Sequence, residues 1–251
     1  MLTIRNADLT FYQNTNMEKR LFKKLNIHVN DTDFITVIGA NGSGKSSLIN
    51  VISGTYILQS GNVVLKNKDI SKDPEWKRAK YIGRVFQNHA WGLAQDMTLI
   101  ENFAIVLHKQ QKNIFAKAVT PKIKEIIHAE LSPLNINLIE KLSSKPSELS
   151  GGQCQSAALI MAVLANPLLL LLDEHTAALD PQSSINILSL TEKLVNERKL
   201  TAIMVTHNIN NALQYGNRMI MMKNGIIVLD VAGEEKQKMC ADEIAKMYGE
   251  I

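Results

Sequence analysis

FITVIGANGSGKSSLIN, Phe34–Asn50, decides how the chain folds. Phe34–Ile38 is a short apolar run rich in β-branched residues and predicts a buried strand. It leads into Gly39-Ala40-Asn41-Gly42-Ser43-Gly44-Lys45-Ser46, then into the helical pattern Ser47-Leu48-Ile49-Asn50-Val51-Ile52. The loop fits GxxxxGK[ST], and a strand before it with a helix after it is the context in which that spacing binds phosphate. Gly39, Gly42 and Gly44 let the backbone turn tightly and approach phosphate oxygens. The loop N–H groups and the helix N-terminus then present a concave, positive surface to an anion. Lys45 has the reach for β- and γ-phosphates, and the Ser46 hydroxyl is a ligand for Mg²⁺.

The 251 residues, 45% hydrophobic and 21% charged, suffice for one large domain or two small ones. Aromatic residues make up only 5%, so aliphatic side chains and ten methionines must fill the core. The net charge of +4 is spread without a Lys/Arg block, so no nucleic acid is expected as a partner, while an anionic membrane surface stays open. Cys154 and Cys240 lack CxxC or metal-ligand spacing and fit a reducing cytosol. The N-terminus MLTIRNADLTFYQ alternates like a strand and lacks the apolar segment of a signal peptide. Apolar runs such as Pro167–Leu172 are far short of the roughly 20 residues a membrane span needs. A cytosolic chain is expected unless something else holds it at a membrane.

Leu2–Phe11 and Lys24–Val29 read as strands around a polar loop, Gln13–Arg20, and Gly54 stops the helix after the phosphate loop. Gly61–Lys68 predicts an edge hairpin and Tyr81–Gln87 a further strand. From Asn88 the period changes: Thr98–Gln110 and Pro121–Leu131 carry apolar residues at helical spacing, so Asn88–Leu149 reads as a helical insert. Its lysines, 109, 112, 117, 122 and 124, fit a solvated face. Ser150–Ala165 is helical, Leu168–Asp173 a strand apolar enough for a parallel sheet, Ser184–Arg198 a helix and Thr201–His207 a strand. Asn210–Tyr215 is a short helix, Arg218–Asp230 a hairpin turning at Asn224-Gly225, and Asp242–Tyr248 a terminal helix. The alternation predicts an α/β core with an antiparallel β lobe and an inserted helical subdomain.

Phosphate-loop ATPases need a carboxylate on a neighbouring strand to hold Mg²⁺ through its water shell, and Leu169–Asp173 ends in one. Glu174 follows, free to polarise an attacking water because Asp173 serves the metal. Leu149-Ser150-Gly151-Gly152-Gln153 opens a helix, with Ser150 as an N-cap type and two glycines that leave amides bare for an anion.

With these motifs in this order, the chain resembles the ATP-binding cassette (ABC) ATPases over nearly its full length. Gly39–Ser46 matches Walker A, Gln87 the glutamine loop, Leu149–Gln153 the signature and Leu169–Asp173 Walker B. Glu174 matches the catalytic glutamate, Ala178-Leu179-Asp180 the D-loop and His207 the switch histidine. The resemblance implies a P-loop ABC ATPase fold in a single nucleotide-binding domain, 1–251. Residues 1–88 and 166–251 would form the core with its β lobe, and about 89–165 the helical subdomain. It implies ATP contacts from Gly39, Ala40, Asn41, Gly42, Ser43, Gly44, Lys45, Ser46, Ser47 and Gln87, and Mg²⁺ held by Ser46, Gln87 and Asp173. Lys45, Glu174 and His207 would be catalytic, with Phe11, or Tyr12 beside it, stacking on adenine. Ser150, Gly151, Gly152, Gln153 and Asp180 would reach the nucleotide of a second subunit in a homodimer or pseudo-dimer. His89, His108 and His175 read as structural.

Two departures stand out. Cys154-Gln155-Ser156 follows the signature where Arg-Gln-Arg is usual, and His175 stands where Pro is common. The first reading is the ATPase subunit of an importer, peripheral on the cytoplasmic face of the inner membrane, with a separate permease and a substrate-binding protein. Asp173–Pro181, DEHTAALDP, and Gly216–Met222, GNRMIMM, resemble ATPases of tryptophan/tyrosine-type uptake systems. The alternative is a soluble ABC ATPase of a cytosolic assembly, such as iron–sulfur cluster biogenesis.

Overall fold

A computed structural model describes residues 1–13, 15–108, 118–134 and 136–249. In chain order the strands are β1 (Leu2–Phe11), β2 (Lys19–Val29), β3 (Phe34–Ile38), β4 (Ser60–Leu65), β5 (Lys68–Asp69), β6 (Ile82–Val85), β7 (Leu169–Asp173), β8 (Thr201–Val205), β9 (Arg218–Lys223) and β10 (Ile226–Ala232). The α-helices are α1 (Lys45–Ser53), α2 (Glu75–Arg78), α3 (Leu99–His108), α4 (Pro121–Leu131), α5 (Gly151–Leu164), α6 (Pro181–Glu197), α7 (Ile209–Gln214), α8 (Gly233–Lys238) and α9 (Ala241–Gly249). Two compact units result: Met1–Arg84 with Leu168–Glu174 and Arg198–Ile251, and Val85–Pro167 with His175–Glu197.

The first unit holds the sheets. One has four strands in the order β2-β1-β4-β5; the other has six in the order β10-β9-β3-β8-β7-β6. β3 pairs in parallel with β8 and β9, and β7 in parallel with β8. The central strands FITVI and TAIMV are buried at every residue, as a sheet covered on both faces requires. Side chains of β3 and β9 alternate between two clusters. Ile35, Val37, Ile220 and Met222 join Leu48, Ile49 and Ile52 of α1 and the inner residues of β1 and β2. Ile38, Met219 and Met221 join Ala212 of α7 and Ile244 of α9. The methionine-filled core expected from composition is thus present at Met204, Met219, Met221 and Met222.

Parallel pairing puts the C-terminal ends of β3, β7 and β8 at one sheet edge, where open α/β sheets bind ligands. The phosphate loop leaves β3 there, Asp173 ends β7, and His207 lies two residues past β8. Gly54 ends α1 in the left-handed conformation, φ 89°, and its missing Cβ makes room for Arg78. Arg78 is buried and donates to the carbonyls of Val51 (2.7 Å) and Ile52 (3.0 Å) in the last turn of α1, and to those of Ser71 and Asp73.

Several boundaries differ from the sequence reading. β2 begins at Lys19, because Lys19 and Arg20 pair with Phe11 and Thr10 and Arg20 forms an ion pair with Asp8. The Gly61–Lys68 hairpin turns at Lys66-Asn67, and its first strand is interior, paired to β1 as well as β5. α6 starts at Pro181, since Asp180 caps it by accepting from Ser183 N–H (3.0 Å). The hairpin at Asn224-Gly225 turns where expected, with both residues at positive φ.

In the second unit, α3 packs on α4 and α5, and α5 on α6. Of the apolar positions predicted for α3 and α4, Leu99, Phe103, Ala104, Ile123, Ile127 and Leu131 are buried in its core, and Ile100, Val106, Leu107 and Ile126 are half-buried. Lys122 and Lys124 are exposed, whereas lysines 109, 112 and 117 lie outside the described residues.

Candidate nucleotide site

The phosphate loop is held by the chain around it. A Cβ on Gly39 would come within 2.3 Å of the Met222 carbonyl oxygen, so the backbone passes β9 as only glycine can. Gly225, at the tip of the β9–β10 hairpin, donates its N–H to the Ser43 carbonyl (2.8 Å), and a Cβ there would lie 1.6 Å from the Leu21 carbonyl oxygen. Gly44 is the N-cap of α1 and gives that helix no side-chain cap. Beside the loop lies a cavity of about 210 Å³ lined by Phe11, Lys19, Leu21, Gly42, Gly44, Ser46 and Ser47.

Lys45 is buried, and its Nζ donates to the carbonyls of Gly39 (2.6 Å) and Ala40 (3.1 Å). Burial pushes its pKa down, against the pull of Glu174 and Asp173. The buried Ser43 Oγ has no hydrogen-bond partner among the described residues. A cation parked on loop carbonyls and an orphaned hydroxyl suit an incoming phosphate, which would satisfy both.

Asp173 accepts a hydrogen bond from Arg84 Nη2, at 3.1 Å to Oδ2. Burial pushes its carboxyl pKa up and Arg84 opposes that shift. The Ser46 hydroxyl and the Asp173 carboxylate are all-oxygen donors, the chemistry that Mg²⁺ takes when phosphates and water complete its shell. No cluster of three or more His, Cys, Asp or Glu able to cage a metal occurs among the described residues. Glu174 sits at φ 46°, an uncommon conformation for a non-glycine residue, with its N–H on the Val205 carbonyl (3.1 Å). Its Oε2 lies 3.6 Å from His207 Nδ1. Phe11 lines the cavity and meets Tyr56 edge-on at 5.2 Å, whereas Tyr12 is 69% exposed and does not line it.

The remaining site candidates belong to the second unit. Ser150 Oγ accepts from Gln153 N–H (3.2 Å) and Gln153 Oε1 from Ser150 N–H (3.0 Å), a closed capping box that opens α5. Gly151 and Gly152 form the first turn, and a Cβ on Gly152 would press on Ser183 Oγ. The unusual residues after the signature are absorbed locally: Cys154 donates to the Pro146 carbonyl, Gln155 to that of Phe86 and Ser156 to that of Gly152. Gln87 is exposed just past β6. Thr191 spends its hydroxyl proton on the Ile187 carbonyl, so the His175 ring donates to Thr191 Oγ1 (3.1 Å). Burial pushes that imidazole down to about 4, which keeps it neutral at pH 7, in line with its structural reading. The His89 side chain lies outside what is described.

Walker A, Walker B, Glu174 and His207 thus meet in one unit, and the signature, Gln87 and Asp180 occur in the other. Sequence reasoning missed Arg84 and Gly225. A charged residue inside the apolar strand IGRV was the available signal for Arg84, and nothing local pointed to Gly225.

Comparison with known proteins identifies the family. The family model described as "ABC transporter" matches residues 22–177. The chain is 41% identical over 248 residues to the tyrosine transport ATP-binding protein of Clostridioides difficile, covering 99% of this chain and 98% of that protein. It is 32% identical to the spermidine/putrescine import ATP-binding protein PotA of Salmonella typhimurium over 84% of its own length but only 53% of that longer relative. A dimeric ATP-binding cassette solved in a post-hydrolysis state with ADP and Pi superposes with a TM-score of 0.78 at 28% identity, covering 92% of this chain and 98% of that one. Motifs, fold and relatives together make this chain a member of the ABC transporter family, one of its ATP-hydrolysing cassettes.

Proposed function

We propose that the chain is the ATPase of an importer and hydrolyses ATP to drive a separate membrane permease. The observation that carries this reading is that Lys45, Ser46, Asp173, Glu174 and His207 come together in one unit with an orphaned Ser43 hydroxyl beside them. Lys45 exchanges the Gly39 and Ala40 carbonyls for the β- and γ-phosphate oxygens, and Ser43 Oγ donates to a phosphate. Residues Gly39–Ser47 wrap the phosphates with backbone N–H groups, while Phe11 on the cavity wall offers its ring to adenine. Mg²⁺, when bound, neutralises charge on the phosphate oxygens; Ser46 and Asp173 would hold it, with Gln87 as a further contact. Glu174 takes the proton of the attacking water, and His207 steadies that carboxylate and donates to the γ-phosphate.

The signature serves the nucleotide of a second copy or a homologous subunit. The capping box uses Ser150 Oγ only as an acceptor, so its proton is left to donate, alongside the N–H groups of Gly151 and Gly152. Gln153 and Asp180 complete that face. Residues 1–251 act as one nucleotide-binding domain. None of the helices among the described residues is long and apolar enough to cross a membrane. The membrane permease is a separate partner in this reading, with the ATPase peripheral on the cytoplasmic face. The tyrosine-transport relative supports an aromatic amino acid as cargo. As an importer, the system would also use a substrate-binding protein. The relatives described are transporter subunits, which favours transport over the iron–sulfur assembly reading.

Glu174→Gln tests the chemistry. Turnover is expected to fall about 10²–10⁴-fold while ATP-dependent dimerisation persists in size exclusion. A variant that stays monomeric with ATP yet hydrolyses at the wild-type rate overturns the assignment.

A further inference from the structure

Helix α1 carries a polar stripe along an otherwise apolar body. Leu48, Ile49, Val51 and Ile52 are buried in the core, whereas Ser46, Asn50 and Ser53 recur at i, i+4 and i+7 on one face. That stripe meets Arg84 of β6 and Asp173 of β7. Ser46 is among the groups that act on the Asp173 carboxylate. Arg84 bonds further along: Nη2 donates to Asn50 Oδ1 at 2.8 Å, and Nη1 lies 3.3 Å from Ser53 Oγ and 3.4 Å from Thr55 Oγ1. The same Nη2 reaches Asp173 Oδ2 at 3.1 Å. Both charged side chains are largely shielded, 14% and 15% exposed, so solvent does little to set their geometry. One planar guanidinium therefore spans the helix that carries Lys45 and Ser46 and the strand that carries Asp173.

We infer that Arg84 is a positioning residue for the metal-supporting pair, fixing the Asp173 carboxylate through Oδ2 and holding α1 in register so that Ser46 and Asp173 act on one Mg²⁺. The inference rests on the proposed metal role of that pair. In this role Arg84 acts through Asp173 and α1 rather than on the reacting atoms. A lysine has a single nitrogen and cannot serve Asp173, Asn50 and the two hydroxyls together.

The test compares binding of a fluorescent ATP analogue in EDTA and in Mg²⁺ for wild type, Arg84→Met, Arg84→Lys and Asp173→Asn. Circular dichroism melts establish that each variant is folded, and Arg84→Gln replaces Arg84→Met if the latter is not. For Arg84→Met the affinity gained from Mg²⁺ is expected to fall about tenfold or more, the usual cost of losing a partner that orients a ligand, with affinity in EDTA unchanged. Arg84→Lys should recover only part of the gain, and the Mg²⁺ midpoint for hydrolysis should rise in parallel. Wild-type Mg²⁺ dependence in folded Arg84 variants overturns the inference, as does an equal loss of affinity in EDTA, which would make Arg84 a support of the helix alone. If Asp173→Asn itself keeps the full Mg²⁺ gain, the metal role of Asp173 fails and this inference falls with it; if only the Arg84 variants keep it, the inference fails alone.

Discussion

The phosphate loop and the signature segment are both glycine-rich turns that open a helix, and they are held in opposite ways. The signature closes on itself: Ser150 and Gln153 satisfy each other's backbone N–H within four residues. The phosphate loop has no such closure. Ser43 N–H turns onto the Ala40 carbonyl (3.1 Å) and Lys45 holds the loop carbonyls, but Gly44 caps nothing with a side chain, Ser43 Oγ is left over, and further restraints come from Met222 and Gly225, nearly two hundred residues away, and from Leu21. A turn whose donors are spent locally is stable by itself. A turn whose donors must stay open for a ligand needs its shape imposed from outside, as preorganised sites generally do.

Three substitutions sharpen that contrast, in decreasing order of effect. Lys45→Ala removes the cation reserved for phosphate, and turnover should drop about 10²–10³-fold, as for other electrostatic contacts of a transition state. Near-normal hydrolysis in a steady-state assay would refute the phosphate-loop assignment. Gly225→Ala alters no residue of the motif, yet the methyl group would meet the Leu21 carbonyl at 1.6 Å in a backbone with φ 78°. ATP binding should weaken measurably and stability should fall by about 1–3 kcal/mol, read by calorimetry and a denaturant melt. Unchanged affinity would mean that the loop holds its shape without the hairpin. Ser150→Ala breaks only a local box. About 1 kcal/mol should be lost at the start of α5, with ATP affinity of the isolated subunit unaltered. An equal loss of nucleotide binding there would erase the distinction between the two turns.

What could be read from the sequence follows the same division. The capping of α5, the proline start of α4 and the turn at Asn224-Gly225 were legible because neighbouring residues determine them. Asp173 and Glu174 were legible because a fully apolar strand that runs into two carboxylates sets charge at the edge of a core, where a bound cation or ligand offsets its cost. The start of β2 was not, since Lys19 and Arg20 are strand residues only by virtue of ladder partners on β1. The helices α2 and α8 are too short to show a period, four and six residues. Arg84 was visible as an oddity, but its acceptors lie on α1 and at Asp173, 89 positions further on. Gly225 looked like a hairpin glycine and is also a buttress of the phosphate loop.

Helix α1 has no acidic residue in its first turn and no basic residue in its last. Its peptide dipoles nevertheless add to about half a unit charge of each sign at the two ends. At the negative end Arg78 meets the carbonyls of Val51 and Ile52, and Arg84 meets the side chains of Asn50 and Ser53, so borrowed guanidinium charge discharges that pole. The positive end receives no protein anion in the helix's own first turn. α1 thus works as a one-ended electrode, its rear terminal earthed by arginines from elsewhere in the chain and its front terminal kept live for the triphosphate.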